Sequence, residues 1–464
     1  MAGKHFETLD DRGLALHADW RDIGRHVVVV GAISLLTWGL CSLLRASVHA
    51  ALHTVLDSRP IGWVPSGAWV LVLLLAGGAL RGLLARFESW REVEGDGLAQ
   101  TLASLDVTAV TPGDDAAPRY ALPTFRRVAR KFAATFLTLG SGASGGLEAP
   151  SVMMAEALGA GVSESLRVRS EHELRTYQLA AISAAVSTLL GAPFTAALFA
   201  AEIAYGNRIV YRELAYGLFA GVVAYWFNAW TAGAHVPLFT APAHSPVYSL
   251  LELGGAALVA VAVSVPLALG FAQSMRTLER TLARRVRRGW YAVVSSLAVG
   301  VVALGLQHGA GIPARHVLGM GEETLGGLLR GEAAWTGAWP LLLVLAGKVL
   351  TTGLTLAGGG SAGLLIPSMY LGGVAGALVA TLVNLTGWTH LDPALFSVVG
   401  MASSLVAVVG VPLAAMAFVL EVFGKAYGPP AILACGFTYL LTLRLKLHGA
   451  RWSSHRAPAP ALPG

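Results

Sequence analysis

Glu148 sits in Gly145-Gly146-Leu147-Glu148-Ala149-Pro150, an acid set among glycines in otherwise apolar sequence. Burying a carboxylate in apolar surroundings is costly, so such an acid is a functional residue by default. Its neighbours favour a particular chemistry. Each glycine from Gly142 to Gly146 weakens a helix by up to about 1 kcal/mol relative to alanine, and Pro150 begins or kinks one. A helix that starts here leaves free backbone N–H groups and the positive end of its dipole facing inward. That is an anion site without a full positive charge, weak enough for rapid release. The plainer alternative is an acid that only caps a helix start.

The block is written twice. Residues 138–151 align without a gap on 355–368, at an offset of 217, and the register runs from Lys131 opposite Lys348 to Gly159 opposite Gly376. In this register Glu148 faces Leu365. Two further pairs keep the same order. Gly191-Ala192-Pro193-Phe194-Thr195-Ala196 matches Gly410-Val411-Pro412-Leu413-Ala414-Ala415, with Glu202 opposite Glu421, and Gly95-Asp96-Gly97 matches Gly319-Met320-Gly321. Three matched blocks indicate duplicated halves with an ion site where the copies meet. Identity alone leaves open whether the halves run parallel or inverted. Taken singly, Gly159 and Gly376 read as close helix packing, but a proline fixed after both Gly-rich blocks asks for more than packing.

The elements that must hold these blocks are membrane helices. Of 464 residues, 55% are hydrophobic and 13% charged. Apolar runs recur at 26–44, 68–80, 177–204, 213–231, 249–273, 289–307, 337–357, 374–386, 394–424 and 430–443, and several reach the length of about 20 residues that crosses a bilayer. Irregular backbone at that depth survives only when protein or a water-filled cavity surrounds it. The fold class is therefore all-α: a polytopic membrane protein of two repeated halves, with broken helices meeting at a midplane anion site. No cleavable signal peptide is evident, because the first apolar run follows about 25 polar residues.

The net charge of +6 reflects basic residues flanking the spans, not a nucleic-acid partner. Arg276, Arg280, Arg284, Arg285, Arg287 and Arg288, then Arg444, Lys446, Arg451 and Arg456, and also Arg21 and Arg25, are all expected in the cytoplasm. This places a multi-pass protein in the inner membrane with both termini cytoplasmic. The organisation expected is a cytoplasmic segment (1–25), a first membrane repeat (26–235), a connection with a basic cytoplasmic loop (236–288), the remaining second repeat (289–445) and a Pro-rich tail (446–464). That tail is expected to be too short for an attached regulatory module. Cys41 and Cys435 lie in apolar sequence and imply neither a disulfide nor a metal centre.

These residues resemble the CLC family of chloride channels and proton/chloride exchangers over about 26–445. Gly146-Leu147-Glu148-Ala149-Pro150 is similar to the family's G-x-E-x-P block, Gly363-Leu364-Leu365-Ile366-Pro367 to its G-x-F-x-P block, and Gly95-Asp96-Gly97-Leu98-Ala99 to its G-S-G-I-P block. The resemblance implies inverted repeats and a homodimer with one pore per subunit, with chloride as the transported ion, no cofactor and no enzymatic activity. It also assigns roles. The N–H groups of Leu364 and Leu365 hold a central anion, those of Leu147, Ala149 and Ile366 beside Gly146 form an outer site, and Glu148 is a gate that leaves the site when protonated. A pH-sensitive flux follows.

Four departures bear on the mechanism. Ile203 stands where the exchangers carry a second glutamate, which favours a channel. Proton-coupled antiport is the alternative, with Glu202 as an internal proton or structural acid. Leu365 replaces the filter aromatic. Asp96 replaces the filter serine and must be protonated, turned away or acting as a helix N-cap. The pore tyrosine of the last helix is absent, with Arg451, Trp452 or Ser453 near its place and Tyr439 too early. Glu156 has no family role. A remote alternative is an intramembrane serine protease, since Gly142-Ala143-Ser144-Gly145-Gly146 fits G-x-S-x-G, but its base would have to be a histidine within a span. Gly309-Ala310-Gly311-Ile312-Pro313 mimics the filter block outside the duplicated register and reads as a loop. No metal-spaced or phosphate-loop motif appears.

Overall fold

The computed structural model describes residues 20–56, 66–110, 122–206 and 208–445, apart from 233–237, 240–241, 243–245 and 247. Sixteen helices of seven or more residues occur among them. The first eight are α1 (Trp20–Leu56), α2 (Ser66–Leu84), α3 (Leu98–Val110), α4 (Thr124–Leu139), α5 (Glu148–Ser165), α6 (Glu171–Leu190), α7 (Pro193–Tyr205) and α8 (Tyr211–Ala232). The second eight are α9 (Leu250–Arg285), α10 (Tyr291–Ala310), α11 (Glu322–Leu329), α12 (Ala338–Ala357), α13 (Leu365–Leu385), α14 (Pro393–Val409), α15 (Pro412–Phe418) and α16 (Gly428–Leu445). Seven helices among the described residues are long and apolar enough to cross a membrane. Sequence expectations for 1–19 and 446–464, including Arg451, Trp452 and Ser453, fall outside the described residues.

The halves correspond helix for helix. α4 with α5 matches α12 with α13, and α6 with α7 matches α14 with α15. Two apolar runs that read as continuous, 177–204 and 394–424, are in fact broken. In each, a glycine with positive φ (Gly191 at 68°, Gly410 at 87°) ends one helix and a proline two residues on begins the next. Glycine alone accepts that backbone freely, and proline at the first helical position loses only an N–H that had no partner.

The pairs pack through small residues. A Cβ on Gly159 of α5 would lie 2.8 Å from the Tyr177 carbonyl on α6, and one on Gly376 of α13 would collide with the Phe396 carbonyl on α14. The two glycines therefore set equivalent close helix crossings, as their isolated reading suggests.

The repeats are locked together by bonds exchanged in both directions. Glu202, at the end of α7, accepts the N–H groups of Leu413 and Ala414 at the start of α15, both at 2.8 Å. Glu421, just after α15, accepts those of Phe194 and Thr195 at the start of α7, at 3.1 and 2.9 Å. Such reciprocity requires a local twofold axis between the halves, and the repeats are inverted. Each carboxylate satisfies first-turn N–H groups of the opposite repeat and meets the positive end of its dipole. Glu202→Ala is expected to lose about 1–3 kcal/mol by leaving those groups unpaired; thermal unfolding of the purified protein measures it.

Candidate anion site

Two bare helix starts face each other in the buried interior. α5 begins at Glu148 and α13 at Leu365, and neither first turn has a side-chain cap. The chain ahead of each is the Gly-rich block, and the blocks form an antiparallel bridge. Gly146 N–H donates to the Gly363 carbonyl (2.9 Å) and Gly363 N–H to the Gly146 carbonyl (2.6 Å). Flanking bonds repeat the symmetry. Ser144 N–H donates to Thr355 Oγ1 (3.2 Å) and Ser361 N–H to Thr138 Oγ1 (3.0 Å). The hydroxyl pairs Ser144–Thr352 and Ser361–Thr135 lie at 2.9 and 2.8 Å.

Little room is left where the two segments cross. A Cβ on Gly146 would collide with Glu148 Oε2, and one on Gly363 would sit 3.0 Å from the Ala149 nitrogen. The bridge brings Gly146, Leu147, Glu148 and Ala149 against Leu364, Leu365 and Ile366. Leu147, Ala149, Leu364, Leu365 and Ile366 are all buried.

Glu148 is 1% exposed. The backbone N–H groups facing its carboxylate are its own and that of Ile366, from the opposite repeat. Its Oε2 has no hydrogen-bond partner among the described residues. Glu322, at the start of α11, and Arg45, on α1, act on it electrostatically with opposite signs. A carboxylate thus occupies the mouth of two helix N-termini, the place where their dipoles favour negative charge.

The third block lies on the other side of a buried lysine. Lys131 of α4 donates through Nζ to the carbonyls of Gly95 (2.8 Å) and Val93 (3.1 Å). Lys348 of α12 donates in the same way to the Gly319 carbonyl (2.8 Å), which also accepts Gly145 N–H (3.1 Å). Gly97 and Gly321 share φ of 89°, and a Cβ on either would meet the carbon stem of its lysine. Asp96 accepts Leu98 N–H at 3.3 Å, two residues on at the start of α3, and Lys131 acts on it electrostatically. The sequence register shows Lys131 opposite Lys348 without showing what they do. Their role emerges only when the Gly-rich carbonyls fold onto them.

Glu202, expected as an internal proton or structural acid, is engaged by α15 at both oxygens, and Tyr439 lies in α16 among partly buried residues packed on the core. The Ser144 hydroxyl, read as a remote protease nucleophile, is bonded to Thr352 between the repeats, with no histidine bonded to it among the described residues. The described buried histidine, His26, instead pairs with Tyr177 at 2.8 Å. No group of metal ligands occurs among the described residues.

Comparison with known proteins agrees with this geometry. The family described as voltage gated chloride channel matches residues 77–443. A chloride/fluoride channel protein of Pseudomonas syringae pv. tomato is 26% identical over 437 residues, covering 91% of this chain and 87% of its own. An H+/Cl− exchange transporter of Vibrio cholerae is 24% identical over 406 residues, covering 84% and 81%. Among solved structures, a slow cyanobacterial Cl−/H+ antiporter superposes with a TM-score of 0.76 at 19% identity, covering 91% of this chain and 95% of that one. A CLC-type fluoride/proton antiporter gives 0.72 at 18%, covering 91% and 96%. A doubled Gly-rich block, bare helix starts facing across a twofold, and a family match over most of the chain lead to one conclusion: the protein belongs to the CLC family of voltage-gated chloride channels, and is a membrane protein of anion transport.

Proposed function

We propose that this chain is a proton-coupled chloride antiporter in which Glu148 alternates with the anion in one amide-lined site. The observation that carries this reading is the Glu148 carboxylate itself, buried against the N–H of Ile366 with Oε2 unpartnered. The ionised carboxylate mimics the anion. When it takes a proton it loses its claim on the N–H groups and swings away, and chloride binds at Leu364 and Leu365 in the centre, with Leu147, Ala149 and Ile366 outside. Gly95-Asp96-Gly97 borders the inner approach, with Asp96 turned to cap α3. The functional unit is a homodimer with one pore per subunit.

Ile203 favours the passive channel expected from sequence, since an apolar side chain relays no proton. One observation favours exchange: the related transporter and both structural neighbours move protons against a halide. Both oxygens of Glu202 are engaged in capping α15, which leaves the inner proton step to other groups. A chloride gradient across proteoliposomes is expected to drive proton uptake against its own gradient; chloride efflux with no proton movement overturns antiport. Glu202→Gln, with both oxygens tied to α15, is expected to lower thermal stability and leave the protons moved per chloride unchanged.

A further inference from the structure

Arg81, in the last turn of α2, is only 7% exposed, and the amide-lined anion site does not use it. Its Nη2 donates to Ser296 Oγ of α10 at 2.9 Å. Its other two nitrogens, Nε and Nη1, have no hydrogen-bond partner among the described residues. Arginine keeps its charge inside a protein, and buried donors of a charged group are costly to leave unpaired. Such an arrangement asks for a ligand.

The guanidinium lines a cavity of about 20 Å³, room for a single water or small ion. Trp90 and Glu94 of the run between α2 and α3, Thr138 of α4, and Gly359 and Ser361 of the second Gly-rich block also line it. A Cβ on Gly360 would lie 3.1 Å from Arg81 Nη1, so the charge rests against that block. Ser361 stands three residues ahead of Leu364. A Cβ on Gly82 would lie 3.2 Å from the Gly289 carbonyl, which puts this end of α2 beside the basic segment 276–288.

The polar groups of the cavity favour an anion. Thr138 Oγ1 donates to the Ala134 carbonyl and accepts Ser361 N–H, so its hydrogen is spent. Ser361 Oγ and Thr135 Oγ1 share one bond at 2.8 Å, which leaves one O–H of the pair to donate. Arg130 lies over the Trp90 ring at 5.9 Å, with its own Nη1 unpartnered. Glu94, half-buried, acts on Arg81 electrostatically and offsets part of its charge. The twofold does not repeat this arrangement. Gly77 approaches Ser141 as Ser295 approaches Gly358, so Arg81 corresponds to Val299, a buried apolar residue. Packing of the two repeats therefore does not require a cation here.

We propose that this cavity is a second anion site, holding one halide against the Arg81 guanidinium on the inner approach to Leu364 and Leu365. It differs in kind from the first. Helix N–H groups offer partial charges, whereas a guanidinium offers a whole one and concentrates halide at the entrance when little is present. The inference rests on halide transport from the reading above and is indifferent to proton coupling.

Crystals of the full chain grown in bromide test occupancy. The expected result is a bromide peak beside Arg81 Nε or Nη1, absent from Arg81→Met. No peak there, with bromide bound at Leu364 and Leu365, overturns the second site and leaves the proposed function standing. No bromide at either place overturns both. A peak that survives Arg81→Met is an adventitious ion only and overturns the second site. Chloride flux in proteoliposomes supplies an independent readout. Half-saturating chloride should rise about ten-fold in Arg81→Met, the scale of one hydrogen bond to a charged group. In Glu94→Gln it should fall several-fold, because less negative charge faces the halide. A purely structural role does not give opposite signs, and unchanged values in both variants overturn the site. If Arg81→Met does not fold, Glu94→Gln decides: a several-fold fall supports the site, and an unchanged or higher value removes it.

Discussion

Glu148→Ala is expected to carry chloride at a rate that no longer depends on pH, and to move no protons with it. The sign follows from the site. An ionised carboxylate competes with the anion for the same N–H groups, so wild-type flux rises as pH falls and the carboxyl becomes neutral. A single titrating group changes the vacant fraction by up to about ten-fold per pH unit. Alanine removes the competitor at every pH, so flux stays at its upper limit. Glu148→Gln, neutral and of similar size, should also be insensitive to pH. Chloride flux in vesicles buffered across a pH series checks both, and a wild-type pH profile in Glu148→Ala would defeat the gate.

Lys131→Met should be among the most destabilising single changes in the molecule. Lys131 is fully buried, donates to the Gly95 and Val93 carbonyls, and compensates Asp96. Removing the lysine leaves those two carbonyls without their donor, at about 1–3 kcal/mol for each buried group left unpaired, and takes away the attraction felt by the Asp96 carboxylate. Adding Asp96→Asn removes that charge and should recover part of the loss; the rest reflects the two carbonyls left without a donor. Thermal unfolding of the purified single and double variants separates the two contributions. Equal stability of the two variants would show that Asp96 does not depend on Lys131.

Both expectations rest on positions whose legibility differed. The bridge between Gly146 and Gly363 is written into the sequence as identity at a fixed offset, because the two halves need the same backbone to cross. The breaks at Gly191-Ala192-Pro193 and Gly410-Val411-Pro412 are visible as motifs, yet composition reads through them, since both flanks are equally apolar. The caps exchanged by Glu202 and Glu421 are hidden for a different reason. Each acid serves the opposite repeat, more than 200 residues away, and register aligns the two carboxylates with each other, not with their partners. Glu156 is hidden in the same way, with partners on α3, α4 and α6. The match of Lys131 to Lys348 stands in the alignment, but only folding turns it into two lysines that each hold a Gly-rich carbonyl.

In the proposed cycle the two Gly-rich blocks form one anion site, occupied in turn by a halide and by the Glu148 carboxylate. Bromide carries an anomalous signal and substitutes for chloride, so crystals of Glu148→Ala grown in bromide test this directly. The expected result is a peak between the N–H groups of Leu147 to Ala149 and those of Leu364 to Ile366, in the place the carboxylate fills. A bromide peak elsewhere in the protein, with none between those helix starts, would contradict it.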